Sequence, residues 1–169
     1  MNKSWHGLVK IIEIQQIRNN KVIWQDENIL NTLHAQGESY ILQCAFDNSG
    51  TLPPANLYFG LDSRPTISVT DTLASVSEPT GNGYQRQAVS TSTGFSIDIV
   101  SGIYRASSQV VAFSATGAGY GPVLNLFLAT TTDNSGLLIA SNPLTNPISL
   151  VAGDTVTMRM SLSLQDYSI

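Results

Sequence analysis

The sequence predicts a mainly β protein, an antiparallel β-sandwich of jelly-roll type with one α-helix near the N-terminus. Three observations carry that expectation. From residue 51 onward, short apolar segments recur between clusters of Gly, Asn and Pro, the spacing of strands in a sandwich or barrel. In TVTMRMSLSL, Val156, Met158, Met160, Leu162 and Leu164 alternate with Thr155, Thr157, Arg159, Ser161 and Ser163, so one face of a strand is apolar and the other polar. Only the segment after residue 27 changes to a helical period.

Taken in order, GLVKIIEIQQI (7–17) is a β-branched run too apolar on both sides for clean alternation, and Arg18-Asn19-Asn20-Lys21 supplies a turn into VIWQ. This predicts an N-terminal hairpin over 7–26. Leu30, Leu33, Tyr40, Ile41 and Cys44 then recur at helical spacing, with Asn28 or Asn31 as N-cap and Asn48-Ser49-Gly50 as stop, which predicts a helix over 30–46. Gly37 in its middle costs about 1 kcal/mol against alanine, so the helix needs packing beneath it. The main β body spans 56–164. Its predicted strands are Leu57 to Leu61, Tyr84 to Thr91, Phe95 to Ile99, Val110 to Ala115, Val123 to Thr130, Leu137 to Ala140, a short edge strand at Pro147 to Leu150, and Thr155 to Leu164. Between the first two lies a long loop holding Pro65, Pro79, Gly81 and Gly83, with one helical turn around Thr72 to Val76. No repeat or linker divides the chain, so residues 1–169 are read as one domain.

Composition excludes several functions. A net charge of -4 with eight scattered basic residues does not suit a phosphate backbone, so nucleic-acid binding is not expected. A single cysteine, Cys44, allows no intrachain disulfide, and no stretch of about 20 apolar residues predicts a membrane span. The first residues, MNKSWHGLVKIIEI, do not read as a cleaved signal peptide. Charged residues make up only 12% of the chain, leaving little repulsion between copies, which favours self-association.

The motifs that touch on chemistry have structural readings. GAGYG (117–121) lacks the G-x-G-x-x-G spacing and a Lys-Ser/Thr pair, and reads as a flexible loop between strands. His6 and His34 have no metal-binding spacing, and Cys44 reads as a small core hydrophobe. The carboxylates Asp62, Asp71 and Glu78 lie in the long loop and read as solvated or turn-capping. No catalytic residue, cofactor or metal site is therefore expected. EPTGNGYQRQAV (78–89) reads as a corner that feeds a strand. Pro79, Gly81 and Gly83 shape the bend, and Tyr84 and Arg86, on one side of the outgoing strand, are residue types enriched at protein interfaces. Gly153 and Asp154, after Ala152, form the corresponding turn before the last strand.

Taken together, LYFGL, TLASVSEPTGNGYQRQAV, VVAFSATGAGYGPVLNLFLAT and LVAGDTVTMRMSLSL resemble a recurrent pattern in structural proteins of tailed bacteriophages. Its positions here are Tyr58, Gly60 and Leu61; Glu78, Pro79, Gly81, Gly83, Tyr84 and Arg86; Phe113, Ala115 and Thr116; and Ala152, Gly153 and Asp154. The resemblance, over about 56–164, implies a non-enzymatic virion protein similar to capsid cement or decoration proteins. Such a protein sits on the outer capsid surface and bridges subunits of the major capsid protein, as a homo-oligomer, dimer or trimer. The expected contacts are an N-terminal arm around Trp5, the loop 62–83, and the loop 117–121 with Tyr120. The rival reading is a tail or fibre component that binds a host-surface glycan or protein, for which Trp24, Tyr104 and Tyr120 would have to cluster.

Overall fold

The computed structural model describes residues 7–30, 32–46 and 52–164, and Trp5 lies outside them. The strands are β1 (Gly7–Arg18), β2 (Lys21–Leu30), β3 (Thr32–Leu33), β4 (Asn56–Asp62), β5 (Gln87–Ser90), β6 (Phe95–Val100), β7 (Ile103–Ser108), β8 (Val111–Ser114), β9 (Tyr120–Ala129), β10 (Leu138–Leu150) and β11 (Thr155–Leu164). One helix, α1 (Ala35–Phe46), and one 3₁₀ turn, Leu73–Ser75, complete the described elements. The strands form two antiparallel sheets. Sheet A runs β2-β1-β11-β7-β6, with β8 also on β11, and sheet B runs β3-β10-β9-β4-β5. Their apolar faces share one core, to which β1 and β11 contribute Val9, Ile11, Ile14, Val156, Met158 and Met160, and sheet B contributes Phe59, Leu61, Leu126 and Leu150. The protein is thus the mainly β sandwich with one helix that its sequence predicts.

Irregularities in the sequence pattern become irregularities in the ladders. The run GLVKIIEI fails to alternate because β1 shifts register against β11 between Ile11 and Glu13, so that Ile11 and Ile14 both point inward. β7 and β8 lie end to end along one edge of β11, offset by one residue in register. At the join, Arg159 Nε donates to the Ser108 carbonyl at 2.9 Å and Met160 N–H donates to Ser108 Oγ at 3.1 Å. The sequence reading assigns no strand to 103–108, yet Ser101 (φ 53°) and Gly102 (φ 80°) form a left-handed two-residue turn that folds β7 back on β6.

Other boundaries move as well. The helix begins at Ala35, five residues later than expected. Leu30 and Leu33 belong to strands, Asn28 stands in β2 with φ 59°, and Asn31 and the stop Asn48-Ser49-Gly50 lie outside the described residues. His34 closes the first turn instead, its carbonyl accepting from Glu38 N–H at 3.0 Å. The two segments expected at 137–140 and 147–150 are one strand, β10, whose pairing with β9 is interrupted between Pro143 and Ile148. β5 begins at Gln87, so Tyr84 lies before the strand, and Ala88 is exposed while Val89 is buried.

The turn into β11 anchors the sandwich. Gly153 has φ 87°, and Asp154 N–H donates back to the Val151 carbonyl. The Asp154 side chain is fully buried and accepts from Arg18 Nε at 2.6 Å, Arg18 Nη2 at 2.8 Å, Gln16 Nε2 at 2.8 Å and Val151 N–H at 3.0 Å. The Arg18 guanidinium holds this carboxyl well below the usual carboxylate range. A depressed folded value stabilises the protein above the unfolded value of about 3.8, and that contribution is lost as the pH falls through the folded value. Asp154→Asn is therefore expected to melt several degrees below the wild type at neutral pH, with the gap closing in strong acid. Thermal melts across a pH series measure this, and a constant gap would contradict it.

Candidate functional site

The predicted residues Pro79, Gly81, Gly83, Tyr84, Arg86 and Tyr120 gather at an internal corner, and none of them lines the open groove elsewhere on the protein. At the corner, the Tyr84 ring lies parallel to Phe113 (centroids 6.1 Å apart, 13° between planes) and edge-on to Tyr120 (5.8 Å, 70°). Its hydroxyl donates to Glu78 Oε2 at 2.6 Å and accepts from Leu61 N–H at 3.0 Å. Burial, with the Glu78 carboxylate beside it, pushes the Tyr84 hydroxyl well above its ordinary value, so it stays protonated. Burial alone raises Tyr120 to about 12.

Arg86 is turned inward, and its interface reading gives way to a structural one. Its side chain is only 3% exposed. The guanidinium forks onto Glu78, donates to the Thr131 carbonyl at 2.9 Å and to Asn134 Oδ1 at 2.7 Å, and sits 5.1 Å from the centre of the Phe127 ring. One side chain thereby ties the corner to the β9–β10 loop.

The glycines at this corner serve backbone geometry. Gly81 (φ 70°) and Gly83 (φ 83°) are left-handed, and a Cβ on Gly83 would also meet Thr116 Oγ1 at 2.9 Å. Asn82 between them fastens the GAGYG loop: its carbonyl accepts from Thr116 N–H at 2.7 Å, its Oδ1 accepts from Ala118 N–H at 3.2 Å, and its Nδ2 donates to the Gly119 carbonyl. The loop expected to be flexible is held at three points.

Of the two readings of the three loop carboxylates, solvated or turn-capping, Asp62 and Asp71 follow the second, accepting from the Arg64 N–H at 3.1 Å and the Ser68 N–H at 3.0 Å. Each has an arginine: Asp62 and Asp71 share Arg64, and Glu78 has Arg86. Asp62 is fully buried and also accepts from Ser77 N–H at 3.0 Å, which folds the start and end of the loop together. His34, fully buried just before α1, has Nε2 2.8 Å from Ser141 Oγ, and burial lowers its pKa. Among the described residues, no three His, Cys, Asp or Glu side chains are placed to hold a metal.

Trp24, Tyr104 and Tyr120 do not form a cluster. Trp24 is partly buried at the core, in the row through Gln16 and Val156, and Tyr120 packs on Tyr84. Tyr104 is 68% exposed at the far end of sheet A, opposite Ile99 and next to the Arg105–Ser163 pair, about eight residues and roughly 25 Å along the sheet.

The open feature is a groove of about 380 Å³ between α1 and the β6–β7 hairpin. Tyr40, Ile41 and Cys44 of α1 form one wall, Phe95, Ile97 and Ala106 the other, and Leu128, Met160 and Leu162 the floor. Among the described residues, no charged side chain lines it. Burial and the neighbouring Cys44 push the Tyr40 hydroxyl well above its ordinary value, so this group is neutral too. The groove exists because the inner face of β6 and β7 runs past the short strand β5: Phe95, Ile97 and Ile99 share that face, yet Ile97 is 70% and Ile99 57% exposed. Phe46 and Leu52, next in sequence to lining residues Ala45 and Pro53, are also exposed. Sequence reasoning missed this site because each lining residue reads by itself as core.

The family described as Podophage GP4 fiber I protein gp80 matches residues 32–164, more than three quarters of the chain. No curated protein and no solved structure matches it. The chain belongs to the family of the podophage GP4 fiber I protein gp80, and it is a structural protein of the bacteriophage virion.

Proposed function

We propose that the protein is a non-enzymatic component of the phage tail fibre apparatus that works by docking protein into the groove between α1 and the β6–β7 hairpin. The observation that carries this reading is the match to a fibre family over residues 32–164, which favours the tail over the capsid surface expected from cement-like resemblance. In place of the major capsid protein, the partners are then proteins of the tail.

The groove favours protein over sugar as the docked material. Its described walls are apolar and uncharged, and their two aromatics, Tyr40 and Phe95, are partly buried against the core, whereas glycan recognition draws on exposed aromatic platforms and polar groups, and the other candidate aromatics are dispersed. A large exposed apolar patch on a protein of this size marks an interaction surface. The inward-facing arginine–carboxylate pairs leave the long loop a framework role.

Gold-labelled antibody against the purified chain, applied to whole particles, is expected to decorate the tail. Label spread over the capsid would overturn the fibre assignment and restore the cement reading.

A further inference from the structure

Sheets end in edges, and an unprotected edge is an invitation to another strand. Sheet B ends in β3, of two residues, and β5, of four. Sheet A ends at one side in β2, which carries Lys21, Asp26 and Glu27, a left-handed Asn28 and a register shift against β1. Its other end is β6, which has none of these defences. β6 holds no lysine or proline, pairs in unbroken register with β7 from Phe95 to Val100, and among the described residues has no strand on its outer side. Its one charge is neutralised, because Asp98 accepts from Arg105 Nε at 2.7 Å and Nη2 at 3.0 Å. The same strand presents Ile97, exposed, in the wall of the apolar groove, and Ile99, also exposed, two residues further along the same face.

We propose that β6 pairs antiparallel with β6 of a second copy of this chain about a two-fold axis at Ile97. The proposal rests on reading the groove as a protein-docking surface, and it names the occupant. The sequence FSIDIV is complementary to itself in this arrangement. Ile97 faces Ile97, and Phe95 faces Ile99, so the inner face meets apolar with apolar. On the outer face Ser96 stands opposite Asp98, a hydroxyl donor opposite a carboxylate, while each Asp98 keeps its own Arg105. Moving the axis to Asp98 would set two carboxylates directly opposite each other, which opposes pairing. The contact is isologous, each copy giving and receiving the same surface, so it closes at two subunits and joins two six-stranded sheets into one. Main-chain hydrogen bonds supply affinity along the edge, and the isoleucines, buried against the facing groove, fix the register.

Sedimentation equilibrium of the full chain tests this. The wild type is expected at twice the 18.1 kDa of one chain. Ile97→Lys, at a site 70% exposed, is expected to keep the wild-type circular dichroism spectrum and weaken association by about tenfold or more. Val22→Lys, on the defended edge, is expected to dimerise normally. A wild type monomeric at all accessible concentrations, a trimer, or a dimer indifferent to Ile97→Lys would each overturn the proposal. A monomer that instead captures another virion protein through Ile97 would also overturn self-pairing. Neither result touches the fibre reading, which the gold-label experiment decides separately.

Discussion

Arg86→Ala is expected to destabilise the protein by about 3–5 kcal/mol, the cost of removing one partner from a buried ion pair. The magnitude follows from what remains behind. Glu78 keeps only the Tyr84 hydroxyl as a partner, the Thr131 carbonyl loses a donor, and Phe127 loses the cation on its ring. The corner at 78–86 then loses its tie to strand β9 and to the β9–β10 loop that follows it. Arg86→Lys is expected to recover only part of the loss, because an ammonium cannot fork onto the carboxylate while reaching Thr131 and Asn134. Denaturant unfolding of the three proteins measures this. A change below about 0.5 kcal/mol for alanine, the range of ordinary surface substitutions, would show that the corner is held by other contacts.

Gly37→Ala is expected to cost about 3 kcal/mol, the upper range for overpacking, and to loosen one wall of the groove. A Cβ at this position would lie 2.2 Å from the Ile139 carbonyl oxygen, a main-chain atom that cannot turn aside. The helix therefore has to lift from β10. Because Cys44 lines the groove on the same helix, its thiol should react faster with a small alkylating reagent in the variant, alongside the lower stability. Wild-type thiol reactivity together with wild-type stability would mean that the helix does not rest on β10 as closely as described.

These two residues show where sequence reasoning reaches and where it stops. The alternation of β11 was legible, because the core lies on one face of that strand and a two-residue period records it directly. The Gly153 turn and the left-handed Gly81 and Gly83 were legible because their backbone demands are local. Gly37 was visible only as a propensity penalty, and the strand beneath it, about a hundred residues away, supplies the reason for a glycine there. Arg86 carried an interface signature, and of its partners only Glu78 is near in sequence, while Thr131 and Asn134 are more than forty residues distant. The helix start was misplaced because Leu30 and Leu33 match a helical period while standing in two successive strands, Leu30 exposed at the end of β2 and Leu33 buried in β3. The groove was invisible for a related reason. It is defined by what fails to cover β6 and β7, and a linear pattern of apolar residues does not record whether a lid is present.

The position of β11 bears on how the chain is made. This C-terminal strand is sheet A's interior plank, with β1 along one side and β7 and β8 along the other. During synthesis β1 and β2 emerge before the rest of sheet A, as a hairpin with an apolar side, while the neighbour β11 lies more than a hundred residues further along the chain. Sheet A therefore cannot close until β11 has been synthesised, and the nascent protein waits with β1 unpaired on that side, in the state that recruits chaperones.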